Sequence, residues 1–258
     1  MQKYKVIVEY NGTHYHGMQK QKDESDDKNN EKCNLKTIQG VLEDAISKFA
    51  NENIEIDYAG RTDAGVHAIG QVVHFTLPEE RDEYKVVQGI NFYLVGEDIV
   101  VKSARKVDNT FHSRFSAKRR VYLYRVLNRK VHSPLLDGRV FHCPYALDIK
   151  AMRKVAKVFV GKKMDFASFC NKESVEKVNT MKTINSIKIK KVGEEIHFIF
   201  EAKSFLHNMI RIMTGVLVEV GRGKIDKKYV IDMLKKKTRD DNCNTLPACG
   251  LYFLEVKY

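Results

Sequence analysis

The 258-residue chain has no tryptophan, and no apolar run in it approaches the ~20 residues of a membrane-spanning helix. Its five cysteines (Cys33, Cys143, Cys170, Cys243 and Cys249) are an odd number without a C-x-x-C pair. That argues against both a zinc ribbon and a disulfide framework. His14 and His16 in THYH stand without a partner cluster, the pattern of a loop rather than a metal centre, so no metal is expected. A phosphate-loop or dinucleotide fingerprint is missing too, and no cofactor is expected. The first residues, MQKYKVIVEYNG, enter a strand-like alternation without a signal-peptide pattern, which makes the cytoplasm the expected compartment.

Acidic residues are missing from one more place. The stretch FHSRFSAKRRVYLYRVLNRK, Phe111 to Lys130, holds seven Lys or Arg and no Asp or Glu. Phe111, Phe115, Tyr122 and Tyr124 lie among those cations. Cations neutralise phosphates and aromatic faces stack on bases, so the mixture suits nucleic acid better than an acidic protein. The plainer alternative is a strand with a basic solvent face. A net charge of +12 and a pI near 9.3 also favour a polyanionic partner, although a basic surface can serve solubility alone.

The length allows a sizeable core in one large domain or two smaller ones. Tyr4, Val6, Val8 and Tyr10 alternate with mostly polar neighbours, which predicts a half-buried strand. A polar stretch over 20–36 predicts a long surface loop. Ile38, Val41, Leu42, Ala45, Ile46 and Phe49 follow helical spacing after a capping Thr37. Strands over 54–58, 71–77 and 99–107 and a helix over 84–94 complete a β-α-β-β-α-β order. The second half repeats that order. Its strands are predicted over 121–128, 183–191, 195–202 and 250–258, with helices over 148–160 and 204–220 and an extra basic one over 226–237. Each half matches the split βαβ, ferredoxin-like unit. The expected class is α+β: halves 1–107 and 108–258, antiparallel sheets forming one broad floor, and helices on the opposite face.

Between the strands over 54–58 and 71–77 lies YAGRTDAGVHAIGQVVHF, residues 58–75, with more glycine and charge than a simple connection needs. Asp63 before Ala-Gly can merely shape a turn, but Arg61 stands two residues away. Gly60 and Gly65 are expected to bend the backbone around a ligand, and His67 to make a structural hydrogen bond. In FLHNMIRIMTGVLVEV, Arg211 lies in the middle of an apolar helix. A buried guanidinium needs a carboxylate and further hydrogen bonds, and a remote loop acid such as Asp63 could supply the carboxylate. The alternative is that Arg211 snorkels to the helix edge.

GRTDAGVHA resembles the catalytic motif of the tRNA pseudouridine synthase A family. So do YNGTHYHGMQKQ, TIQGVLEDAI, FHSRFSAKRRVYLYRV, FLHNMIRIMTGVLVEVGRG and GLYFLEVKY, in order over nearly the whole chain. The resemblance implies an enzyme that isomerises uridine to pseudouridine at positions 38–40 of the tRNA anticodon arm. It implies a homodimer with one tRNA lying across both subunits, and no cofactor. It makes Asp63 the catalytic residue. Arg61 would hold the extruded nucleotide or its phosphate, Tyr122 would stack on the target uracil, Arg211 would pair with Asp63, and Leu251 would pack against the base. The segment 111–120, with Arg114, Lys118, Arg119 and Arg120, would contact the RNA backbone. Two departures concern the amino-terminal loop. Met18 stands where the family usually has tryptophan, and the loop over 20–36 is longer and more acidic than usual. Against a non-catalytic RNA-binding protein, Asp63 and Arg211 discriminate, because a mere binder gains nothing from a carboxylate facing phosphates.

Overall fold

The first strand, β1 (Gln2–Tyr10), turns Tyr4, Val6 and Val8 to the interior, each 0% exposed. The structure, a computed structural model, describes residues 1–20, 35–170, 178–237 and 244–258. Most of the acidic loop, as well as Cys33 and Cys243, therefore lies outside the described residues. The chain is α+β and clusters into two units. Unit 1 comprises Met1–Ala117, Phe253–Val256 and Tyr258, and unit 2 comprises Lys118–Tyr252 and Lys257. Residues 108–117 thus group with unit 1. Lys3 Nζ donates to the carbonyls of Asn109 and Phe111, and the Tyr258 hydroxyl to that of Ser113.

In unit 1, helix α1 (Ile38–Ala50) starts at Thr37, whose hydroxyl accepts the Gly40 N–H, and buries Ile38, Leu42 and Ile46. Strand β2 is only Asp57–Tyr58 and pairs antiparallel with β3 (His67–Leu77). The strand expected over 54–58 is shortened because its backbone finds side chains instead. The N–H groups of Ile54 and Ile56 donate to Ser47 Oγ and Glu43 Oε1 of α1. Helix α2 (Glu83–Tyr93), capped by Asp82, leads to β4 (Ile99–Val107). A Cβ on Gly89 would come within 2.2 Å of the Phe49 ring, so this glycine lets α2 approach α1 closely. The strand order is β4-β1-β3, with β2 beyond β3. Pairing of Lys5 with His74 on β3 and Arg105 on β4 puts the polar residues of β1 on the face opposite the buried set.

In unit 2, β5 (Arg119–Leu127) pairs antiparallel with β9 (Glu195–Ala202), and β9 with β8 (Met181–Val192). Two short strands join them: β6 (Phe141–His142) parallel to β5, and β7 (Lys163–Asp165) antiparallel to β8. Helix α3 (Ile149–Ala156) begins at Asp148 and packs against α4 (Met209–Gly221). The predicted helix over 204–220 starts later because Asn208 takes a left-handed φ of 61°, a conformation asparagine tolerates. Helix α5 (Lys227–Lys236) follows a capping Asp226, and β10 (Leu251–Lys257) ends the chain.

Candidate functional site

Backbone hydrogen bonds and one hydroxyl pair hold the segment between β2 and β3. The Met18 N–H donates to the Thr62 carbonyl at 3.0 Å, the Gly65 N–H to Tyr15, and the Val66 N–H to the Asp63 carbonyl. The Gln71 amide donates to the Gly60 carbonyl at 2.8 Å. The Thr62 hydroxyl pairs with the Tyr10 hydroxyl at 2.8 Å. Burial raises the Tyr10 phenol to about 12 against opposing hydrogen bonds from Thr62 and Gln71, so it stays protonated at neutral pH.

Two glycines of the neighbouring segment make this contact possible. A Cβ on Gly12 would lie 2.0 Å from the Val66 carbonyl oxygen. Gly17, at φ 85°, would place a Cβ 2.7 Å from that of Thr62. Within the loop itself, Gly65 takes φ 75°, while Gly60 has no positive φ. Only one of the two expected bends therefore depends on a left-handed glycine. His67, 2% exposed, accepts the Gly12 N–H on Nδ1 at 3.0 Å, a structural bond.

With Thr62 buried and its neighbours exposed or half-buried, Arg61 is exposed and Asp63 half-buried. The Tyr58 hydroxyl hydrogen-bonds Arg61; burial raises its pKa more than that cation lowers it. Met18 is 0% exposed and holds the Thr62 carbonyl through its N–H, so the residue in the usual tryptophan position supports backbone here. His14 and His16 are exposed, and a different group comes together: Asp57, His74 and His112 place one ligand atom each within 4.8 Å of one another.

In unit 2, Tyr122 is 8% exposed and meets Phe205 edge-on at 5.2 Å between ring centres. Arg211 is half-buried. Its Nε donates to the Leu246 carbonyl at 2.7 Å and one Nη to Asn208 Oδ1 at 2.8 Å. A carbonyl and an amide oxygen thus accept from two of its nitrogens, the further hydrogen bonds that a guanidinium away from water needs besides a carboxylate. Through these bonds α4 holds residues 244–247, and a Cβ on Gly215 would lie 2.5 Å from the Asn244 carbonyl oxygen. The held segment leads into Leu251, 7% exposed at the start of β10. Gly250 before it packs on the Tyr124 ring, whose hydroxyl donates to the Pro247 carbonyl at 2.7 Å. Sequence reasoning missed Tyr10 and Leu246 as supports because their partners lie tens of residues away, and Tyr58 and Asn208 because a neutral side chain three residues from an arginine carries no charge signal.

The basic stretch is unevenly committed. Arg114 and Lys118 are exposed. Arg119 bridges Glu201 at 2.7 Å and Arg120 donates to the Lys203 carbonyl at 2.7 Å. The hydrogen bonds from Arg119 and Lys257 hold the Glu201 carboxyl below its usual range.

A sequence profile described as tRNA pseudouridine synthase matches residues 6–116 and 155–258. A tRNA pseudouridine synthase A of Ehrlichia canis (strain Jake) is 41% identical over 258 residues, covering 99% of this chain and 100% of its own length. Those of Anaplasma phagocytophilum (strain HZ) and Wolbachia pipientis wMel are 40% and 39% identical over 256 residues, with the same coverage. With one profile matching both units and full-length relatives near 40% identity, the chain belongs to the tRNA pseudouridine synthase family.

Proposed function

We propose that the protein isomerises uridine to pseudouridine at positions 38–40 in the anticodon arm of tRNA, with Asp63 as the catalytic residue. The observation that carries this reading is the GRTDAG loop: its backbone is fastened by the segment around Gly12, Gly17 and Met18 while Asp63 and Arg61 retain solvent access. Rigid backbone beneath an accessible carboxylate is what a positioned catalytic group requires.

The reaction breaks the N1–C1′ bond of uridine, turns the uracil while it is held, and joins C5 to C1′. The C5 proton is lost and N1 gains one, so atoms balance without a redox change or co-reactant. Asp63 acts as the ionised carboxylate, and Arg211 is its proposed guanidinium partner. Tyr122 is the proposed stacking partner of the extruded uracil, Leu251 an apolar contact to the base, and Arg61 the group holding the flipped nucleotide. Extrusion costs a few kcal/mol, and stacking worth roughly 1–3 kcal/mol offsets part of it. Arg114, Lys118, Arg119 and Arg120 are proposed contacts to the RNA backbone. A cytoplasmic homodimer carrying one tRNA across its subunits completes the reading.

The test is to treat unmodified tRNA with the purified protein and map pseudouridine by position. Pseudouridine at 38, 39 or 40 supports the assignment. Tight tRNA binding without any pseudouridine would leave a non-catalytic RNA-binding protein, and pseudouridine confined to other arms would overturn the site preference.

A further inference from the structure

Four aromatic residues lie in the basic stretch, and the fold treats them differently. Tyr124 is 0% and Tyr122 8% exposed. Phe111 is half-buried, 4.9 Å from the Tyr258 ring, with the Lys5 ammonium 5.8 Å from its centre. Phe115 alone is presented to solvent, 76% exposed. A single exposed phenylalanine is ordinary on a protein surface. What sets this one apart is how firmly the turn beneath it is fixed.

The Ser116 N–H donates to the His112 carbonyl at 2.9 Å, and the His112 N–H to Ser116 Oγ at 3.1 Å, which closes the turn from both ends. Ser113, at its centre, is 0% exposed; its carbonyl accepts from the Tyr258 hydroxyl at 2.8 Å. Its N–H donates to His74 Nδ1 at 3.3 Å, and the Arg114 N–H donates to His112 Nδ1 at 3.2 Å. Each Nδ1 thus accepts a backbone N–H, and His74 Nδ1 also lies 3.0 Å from Ser113 Oγ, whose hydroxyl can donate to it, so each neutral ring carries its hydrogen on Nε2. Those two Nε2 atoms face Asp57 Oδ2, each at 3.7 Å. A metal-bound histidine donates its other ring N–H to a neighbour, the reverse of this arrangement. The Asp57–His74–His112 group is therefore a brace under the turn. The His112 ring it steadies lies 4.4 Å from the Phe115 ring, and the Arg114 guanidinium 5.6 Å from the centre of that ring.

We propose that Phe115, backed by His112 and flanked by Arg114, is a platform on which a second base of the bound RNA stacks, separate from the uridine that reacts; this rests on the tRNA reading above. A pre-fixed aromatic face loses little freedom on binding, and every base has a π-face to meet it. The cations around it add affinity for the adjoining phosphates. Asp57 precedes Tyr58, whose hydroxyl holds Arg61, so the short strand β2 joins the brace to the catalytic loop.

The experiment measures the dissociation constant of the full-length protein for an unmodified tRNA transcript, together with melting temperatures and steady-state kinetics. Phe115→Ala is expected to weaken binding by between about 5- and 150-fold, the range of one base–aromatic stack. The loss is expected in Kd and KM rather than in kcat, with the slope of log K against log salt unaltered, since no phosphate contact is removed. Phe115→Trp is expected to restore binding, whereas Phe115→Leu, apolar but without a π-face, is not. Wild-type affinity in Phe115→Ala, or rescue by Phe115→Leu, would overturn the platform while leaving the enzymatic reading intact. Failure of the wild-type protein to bind tRNA would overturn both.

Discussion

The basic stretch 111–130 runs from unit 1 into unit 2, and its two ends use their charges differently. In unit 2 three arginines of β5 and the loop after it are matched by acids from the neighbouring strand and turn. Arg119 meets Glu201, Arg125 meets Glu195 and Arg129 meets Glu194, each at 2.7 Å. In unit 1 the backbone is fastened closely. The turn carrying Arg114 and Phe115, like the loop carrying Arg61 and Asp63, fastens its N–H and carbonyl groups locally and leaves those side chains exposed or half-buried. A run of cations in sequence therefore overstates the charge offered to RNA, because cross-strand acids are invisible to it.

The largest effect that would sharpen this contrast comes from disturbing the backbone of unit 1. Gly12→Ala puts a methyl group where Val66 oxygen stands, so the loop carrying Asp63 must shift. Activity is expected to fall by at least about 100-fold, the scale of a 1 Å misplacement. Turnover near wild type would show that the loop does not depend on this contact.

A smaller loss is expected from the paired charges of unit 2. Arg125 grips Glu195 with two hydrogen bonds, at 2.8 and 2.7 Å, and His197 adds a third at 2.9 Å. Burial pushes the Glu195 carboxyl up, and the bonds from Arg125 and His197 outweigh it, holding it below its usual 4.5. A depressed carboxyl contributes stability that is present above pH ~4.5 and lost as pH falls through the folded-state value. Glu195→Gln is expected to cost about 1–3 kcal/mol at neutral pH, between an exposed and a buried pair. It should also flatten the acid limb of a stability curve from chemical denaturation, and an unchanged acid limb would mean the pair carries no linkage.

The smallest effect compares the two ends directly. Arg114→Gln should reduce the salt slope of tRNA binding by about 0.7–0.9, one phosphate contact. Arg119→Gln should change it less, because Glu201 already accompanies that guanidinium. Equal slopes would break the comparison.

Much of this fold was legible in the sequence because its elements have strong periodicity and caps. Strand β4 and the Thr37 cap coincide with the residues expected, and the helices expected from 148 and 226 begin there, with Asp148 and Asp226 as their caps. The misses have local causes. β2 is short because α1 side chains take its N–H groups, and α4 starts late because Asn208 goes left-handed. At the site, Asp63 and Arg61 stood out by residue type and spacing. The supports did not, since Gly12, Met18 and Tyr10 reach the loop across tens of residues through contacts with its backbone or with Thr62. Arg211 was legible as a residue in need of partners, but Leu246 and Asn208, which the structure supplies, offer oxygens that no charge pattern reveals.

The most direct test of the account is pseudouridine formation by Asp63→Asn on tRNA already bound to the protein, followed in a single turnover. Asparagine keeps the size and the loop backbone but removes the ionised carboxylate. The expected result is tRNA affinity and melting temperature near wild type, with product formation lowered by at least about 1,000-fold. Product formed at a rate within tenfold of wild type would contradict Asp63 as the catalytic residue.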